Sequence, residues 1–330
     1  MICFDLKPGC SFGFRALVLL MLAAGWAGAA MAQELPAGTA KVVVPYPPGG
    51  PLDVTARLVA QGFKDDFGRP FIIENKSGAN GNLAAGAVAQ AAPDGLTVIA
   101  ITDTILTANP SLYPSVPFDA LKNFDPISVM GSNAVVLAVH KSVPAKDIRE
   151  FIELMKTRNL NFSSGGNGSP GHLAYEYFAA RTKVKGTHVA YRGGVPAAQA
   201  IAANEVDAGI VSLSALQPFL QKGDVVALAV LDDKRIKAIP SVPTAAEGGI
   251  PDLIVRYYSM LLAPAGTPPA LIDKFNRSLR NTFTLPRTLS VLDAQGLDPD
   301  VSSPQEARDV LKTQTKRWSD VIRISSMRLQ

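Results

Sequence analysis

Residues 44–53 read Val-Pro-Tyr-Pro-Pro-Gly-Gly-Pro-Leu-Asp, and no other stretch limits the fold of this chain so strongly. The β-branched run Val42, Val43 and Val44 feeds a Pro/Gly turn, which opens into a helix-like segment over 53–60. A strand, then a loop, then a helix N-terminus leaves backbone N–H groups without intrahelical partners, and such a terminus attracts anions. Gly49 and Gly50 permit close backbone approach. Asp53 stands where the helix begins, as a cap for its N–H groups, as a ligand-facing group, or as both. The loop has no Lys, Cys or His, and neither G-x-x-x-x-G-K-[ST] nor G-x-G-x-x-G occurs in it, which argues against nucleotide phosphates. Its chemistry suits holding something negative rather than reacting with it.

The same grammar continues. After the helix over 54–67 come a strand over 70–74, a helix over 83–92 closed by Pro93-Asp94-Gly95, and a strand over 96–102. This alternation predicts an α/β fold with a parallel sheet covered by helices. The loops 47–53, 75–82 (with Asn80) and 102–109 (with Thr102 and Asp103) each follow a strand, where open α/β sheets bind ligands. Residues 117–133 read as an irregular connector. A second unit follows, with a strand over 135–139, a helix over 147–156 and a strand ending at Ser163. The loop Ser164-Gly-Gly-Asn-Gly-Ser-Pro-Gly171 then leads into a helix over 172–180. A strand over 187–191 ends at Arg192-Gly-Gly194, a helix runs from about 197 to 203, and strands are expected over 206–211 and 225–231. After an apolar strand over 257–264, the tail is helical over 270–283, 287–295 and 304–324. Helices without new strands are expected to pack back onto the first unit. That gives lobes of 33–133 plus 257–330 and of 134–256, with a hinge near 133–135 and 255–262.

Residues 1–32 are expected to be a signal peptide. Lys7 and Arg15 precede an apolar run over 16–24, and Ala30-Met31-Ala32 offers a processing site before Gln33. The run is far short of the roughly 20 residues that span a bilayer, which disfavours an uncleaved anchor. Cys3 and Cys10 both fall in this leader, so the mature chain has no disulfide, thiolate nucleophile or cysteine metal site. Removing the leader changes the formal charge from +4 to +3. So small and scattered an excess, with no interleaved aromatics, argues against a nucleic-acid surface.

Catalysis finds little support. His140, His172 and His188 are not at metal-ligand spacing, and no serine lies in G-x-S-x-G. Ser164 to Ser169 instead form a loop of backbone amides and hydroxyls that can surround a carboxylate without a formal positive charge. It matches the 47–53 loop in the other unit, and two such rims describe a cleft. Tyr191 is either a cleft wall or a half-buried aromatic. Arg192 attracts an acidic solute, bridges the lobes or is simply solvated. Ser212 and Ser214 follow a strand on the same rim.

At these residues the chain strongly resembles the Bug family, the TctC-like extracytoplasmic solute receptors of tripartite tricarboxylate transporters. The matching segments are 44–53, Ser77-Gly-Ala-Asn-Gly-Asn82, Ala92-Pro-Asp-Gly95, Ala108-Asn-Pro-Ser-Leu-Tyr113, 161–168 with His172, and Ala190-Tyr-Arg-Gly193. The runs 238–249 and Leu262-Ala-Pro-Ala-Gly-Thr-Pro268 extend the match over essentially the whole mature chain. The resemblance implies a two-lobed periplasmic-binding-protein fold (type II, Venus flytrap) that closes on a solute by a hinge between lobes. It implies a non-enzymatic periplasmic receptor for a small organic carboxylate, whether dicarboxylate, tricarboxylate or aromatic acid. The partners would be membrane permease subunits, the receptor a monomer, and no cofactor or metal is needed. Carried over to this sequence, the ligand-binding residues are Tyr46, Pro47, Pro48, Gly49, Gly50 and Asp53 on one lobe. Ser164, Asn167, Gly168 and Ser169 face them, with Asn80, Thr102, Asp103, Tyr191, Arg192, Gly193 and Ser212 completing the set.

The sequence also departs from the family pattern. Lys76-Ser77 stand where Arg-Pro is usual, and Pro170-Gly171 replace small hydroxyl residues. Arg192 replaces a common Lys and offers a planar fork for a second carboxylate. Residues 210–214 lack the Phe and the acidic or amide residue often found there, which disfavours an amino-bearing ligand. The competing readings are a ligand-responsive sensor subunit and an exported hydrolase using Ser164 or Ser169.

Overall fold

The computed structural model describes residues 35–325, 327 and 328. The expected leader and its cleavage point lie outside the described residues. The opening run forms β1 (Ala40–Val44), and α1 (Pro51–Phe67) starts directly behind the Pro/Gly turn. Pro51 is the first residue of α1, where a missing N–H costs no helical bond. Gly68 ends α1 in the left-handed region, at φ 66°, with its N–H bonded to the Lys64 carbonyl. β2 (Phe71–Asn75), α2 (Asn82–Ala89) and β3 (Thr97–Thr102) follow. The expected loop over 102–109 instead holds two short helices, α3 (Asp103–Thr107) and α4 (Asn109–Leu112).

β4 (Phe124–His140) is a single 17-residue strand, so the irregular connector expected over 117–133 is corrected. Pairing shifts near Pro126 and Gly131 break its period, and burial on both faces removes the polar alternation that marks a strand. Next come α5 (Ile148–Thr157), β5 (Asn161–Ser164), α6 (Pro170–Thr182), β6 (Thr187–Ala190), α7 (Gly194–Ala202) and β7 (Ala208–Ser212). The helix α8 (Leu213–Lys222), unforeseen in a stretch interrupted by Pro218, precedes β8 (Val225–Val230) and β9 (Arg256–Pro264). The chain ends with α9 (Pro269–Phe283), α10 (Pro286–Ala294), the short β10 (Asp298–Pro299) and α11 (Pro304–Ser325).

β1 pairs in parallel with β2 and β3, as its βα grammar predicts. The expectation of a parallel sheet fails beyond that point, because β9 runs antiparallel to β3 and to the first part of β4. In the second lobe β5 is parallel to β6 and β7, while the end of β4 lies antiparallel to both β7 and β8. An apolar run is equally compatible with either strand direction. The direction follows from where the chain re-enters the sheet. β4 therefore passes through both α/β lobes, pairing with β9 up to Ala134 and with β7 from Val135.

Side-chain alternation along β1 sends Val42 and Val44 into a core with Phe63 and Phe275, and Val43 into another with Ile99, Ile101 and Met260. The second lobe has its own core around Phe151, Phe162, Tyr175 and Phe178. α11 departs from the expected split that placed the whole tail on the first lobe. Ala307 and Leu311 pack in the first lobe, whereas Trp318, Val321 and Ile322 pack in the second lobe's core. Seven residues of helix rise about 10 Å, enough to carry one continuous element from one core to the other.

Candidate functional site

The first rim is built by the turn between β1 and α1. Gly49 adopts φ 84°, which an L-residue side chain disfavours, although nothing would obstruct a Cβ there. The turn is held from behind by Asp53, whose side chain is 1% exposed. Its carboxylate accepts from Gly49 N at 2.9 Å, Asn75 Nδ2 at 2.9 Å, and Arg57 Nε and Nη2 at 2.9 and 3.1 Å. Burial pushes this carboxyl up, but Arg57, the Gly49 N–H and the Asn75 amide together hold it below the usual carboxylate value. With Asp53 so engaged, α1 begins at Gly50 with no side-chain cap. Beside the turn, Tyr46 OH meets Thr102 Oγ1 at 2.9 Å, and burial pushes the phenol up to about 12.

The second rim follows β5. Ser169 caps α6 by accepting from His172 N at 3.3 Å, and Pro170 occupies the first helical position. A Cβ on Gly171 would lie 2.0 Å from the Ile210 carbonyl oxygen, so glycine lets α6 seat directly on β7. Two further helices begin at the same place. α7 starts after Gly193, at φ 117°, and α8 starts after Ser212; neither has a side-chain cap.

Between these rims lies a cleft of about 410 Å³. The structure brings ten of the expected residues onto its wall: Tyr46, Pro47, Pro48, Gly49, Gly50, Thr102, Ser169, Arg192, Gly193 and Ser212. The other seven lie off it. Asp53 is behind the first turn. Asn80 Nδ2 donates to Asn109 Oδ1 at 2.9 Å, tying the 75–82 loop to α4 instead. Ser164 is fully buried, with Oγ 2.7 Å from His188 Nε2, and the Gly168 N–H is spent on His172 Nδ1 at 3.0 Å. Asn167 points to solvent, and Tyr191 contributes its backbone to the turn rather than its ring to the wall. The Ser164–His188 contact would suit a nucleophile, yet Ser164 is buried behind the rim, and Ser169 serves as the cap of α6.

Sequence reasoning missed the floor and the far wall. Asn133 and Val135 come from β4, Tyr257 and Ser259 from β9, Val195 and Pro196 from α7, Ile210 and Val211 from β7, and Gln295 and Leu297 follow α10. Asn133 Nδ2 donates to Ser259 Oγ at 3.1 Å, which adds a side-chain tie between the two paired strands. Of these, Asn133 lay in the stretch read as irregular. Arg192 is the one charged side chain on the wall, and among the described residues it is in no ion pair. Among those residues no group of three or more His, Cys, Asp or Glu could hold a metal, and no helix is long and apolar enough to cross a membrane.

Asp103 sits where the lobes meet. Its Oδ1 accepts from Tyr258 N at 2.7 Å, while Oδ2 and the nearby Trp318 Nε1 are both buried without a hydrogen-bond partner. Burial pushes this carboxyl up to about 7, although the Tyr258 amide, the Trp318 indole and Arg317 pull it back. An unfolded Asp loses its proton near pH 3.9, so between about pH 4 and pH 7 only the folded state retains it. The Asp103 contribution to stability therefore declines as pH rises through that window and is flat above it. Urea denaturation at pH 5 and pH 8 should show this decline in wild type and its loss in Asp103→Asn. An equal slope in both proteins would contradict the assignment.

The comparisons with known proteins agree with this geometry. The sequence model described as TctC, Tripartite tricarboxylate transporter family receptor, matches residues 55–327. Protein BugT of Bordetella pertussis is 30% identical over 315 residues, covering 94% of this chain and 97% of BugT. Among solved structures, R. palustris Rpa4515 with adipate has a TM-score of 0.83 at 31% identity, covering 89% of this chain and 99% of that one. MatC from Rhodopseudomonas palustris with bound malate has a TM-score of 0.80 at 33% identity, covering 87% and 99%. With the family model matching residues 55–327 and BugT aligned over 94% of the chain, the chain belongs to the TctC family of tripartite tricarboxylate transporter receptors.

Proposed function

We propose that this protein captures a small organic carboxylate in the cleft and delivers it to a tripartite tricarboxylate-type membrane permease. The observation that carries the reading is the convergence of four helix N-termini, those of α1, α6, α7 and α8, on one cleft with no acidic side chain on its wall. Each terminus presents about half a positive charge as unpaired N–H groups, so together they favour an anion without a lysine. One carboxylate seats between the 46–50 turn and the Gly165–Ser169 rim. Arg192 then meets a second acidic group, and Val195, Pro196, Val211 and Leu297 cover the carbon chain. Malate and adipate, bound by the two relatives above, both have this two-ended form.

Family membership supports a periplasmic location and a receptor role rather than an enzymatic one. The mature chain would begin at Gln33 and act as a monomer. The bodies that close would be 33–133 with the first part of 257–330, and 134–256 with the end of α11, hinged near 133–135 and 255–262.

A thermal-shift series on the mature protein with mono-, di- and tricarboxylates and aromatic acids tests the reading. A specific ligand at 100 times its Kd adds about 2.7 kcal/mol to stability, which raises the apparent Tm. Dicarboxylates should stabilise most, and Arg192→Gln should remove their advantage over monocarboxylates of equal length. Stabilisation by a neutral sugar or a metal, with none by any carboxylate, would sink the proposal.

A further inference from the structure

His172 and His188 fall outside the cleft, yet both grip the loop that forms its second rim. His188 Nε2 lies 2.7 Å from Ser164 Oγ at the start of that loop. At its end, the Gly168 N–H donates to His172 Nδ1 at 3.0 Å. The two imidazoles stack face to face, with centroids 3.8 Å apart and planes within 4°. Tyr175 backs the stack at 5.7 Å from His188, and its hydroxyl donates to the Gly186 carbonyl at 2.6 Å. The charged groups nearby are Glu176, whose Oε1 is 3.8 Å from His172 Nε2, and Lys185, which pairs with Glu176.

Both rings are neutral. Burial lowers His172 to about 3, with the His188 ring and Lys185 adding to the effect, and lowers His188 to about 4, with Lys185 adding. The geometry requires independently that His172 be neutral and that the two rings never be charged together. An imidazolium has no lone pair to accept the Gly168 N–H, and two stacked cations would repel. Neutral His172 therefore carries its proton on Nε2, facing Glu176.

We propose that the stacked His172–His188 pair is the positioning element of the second rim: two neutral imidazoles hold Ser164 and Gly168 inward, which leaves Gly165 and Ser169 on the cleft wall. The effect on binding rests on the carboxylate reading above, whereas the effect on the rim does not. His172→Asn keeps an acceptor oxygen near the place of Nδ1, and His172→Leu removes it. Phe178→Leu perturbs the same lobe's core away from the rim and serves as a control for lost stability.

The first readout is the Gly168 amide proton by NMR in ligand-free protein. It should lose its hydrogen-bond shift in His172→Leu and regain it in His172→Asn. The second is titration with adipate. His172→Leu should bind about tenfold more weakly, the scale of one lost buried hydrogen bond, while His172→Asn and Phe178→Leu stay near wild type. An unchanged Gly168 amide in His172→Leu overturns the proposal, as does an affinity loss that merely tracks Tm across all three variants. If wild type binds neither adipate nor any other carboxylate of the series, the carboxylate reading fails and the Gly168 amide alone decides the role of the pair.

Discussion

Asp53→Ala is expected to weaken carboxylate binding about a hundredfold and to destabilise the fold by about 3 kcal/mol, because charge-assisted hydrogen bonds to a buried acceptor are lost together. The side chain organises the first rim from behind, off the cleft wall. Without it the Gly49 N–H and the Asn75 amide lose their acceptor, and the turn that carries Pro47 to Gly50 loses its anchor to α1 and β2. Arg57 suffers less, since its guanidinium is half exposed and regains water. Asp53→Asn should recover only part of the loss, because an amide presents a donor where Arg57 or Gly49 already donates. The pH dependence has a definite sign. The folded carboxyl lies below its unfolded value of about 3.9, so its stabilisation is present above that pH and is lost as pH falls through the lowered folded value. Isothermal titration with adipate and urea unfolding at pH 7 check both effects. Full binding by Asp53→Ala would show that the turn stands without its anchor.

Trp318→Ala is expected to cost about 4 kcal/mol, the range for truncating a large aromatic in a packed core. Trp318 is fully buried in the second lobe's core on a helix whose earlier turns, at Ala307 and Leu311, belong to the first. The substitution therefore opens a cavity and detaches the end of a strap between the lobes. Trp318→Phe should behave differently. The indole Nε1 makes no hydrogen bond of normal geometry in its buried position, so its favourable interaction with Asp103 offsets only part of its desolvation cost. Removing the N–H offsets part of the lost ring area, and the net change should stay within about 1 kcal/mol. Both variants should raise the Asp103 carboxyl further, because the indole is among the groups that hold it down. Denaturation midpoints at constant m-value measure the first effect, and the pH slope measures the second. A loss below about 1 kcal/mol for Trp318→Ala would mean the helix end contributes little packing.

The elements legible in the sequence were those with a local cause. β1, α1, β2, α2 and β3 announced themselves by apolar runs punctuated with Pro and Gly. Pro51, Pro170, Pro269, Pro286 and Pro304 each stand at the first position of a helix. β4 was illegible in its first half because its bulges break the period and both faces are buried. α8 was missed because Pro218 interrupts its pattern, although the helix tolerates it. In the site, the turn residues were legible, whereas Asn133, Tyr257 and Ser259 reach the cleft only because β4 and β9 pair there, and Leu297 only because the chain after α10 returns to it.

The Pro-Pro-Gly-Gly turn alone determined that this chain offers a helix N-terminus behind a strand, since conformational freedom at Gly49 and the missing N–H of Pro51 are properties of the residues themselves. Only the tertiary structure decided where each polar group's hydrogen bonds go. Asp53, Ser164 and Gly168 carry the right chemistry for a ligand, but each is already satisfied from within, by Arg57 and Asn75, by His188, and by His172. A buried donor or acceptor takes whichever partner the packing brings within reach: Arg57 and His172 lie four residues from the groups they satisfy, whereas Asn75 and His188 lie 22 and 24 residues away and leave no trace in local spacing.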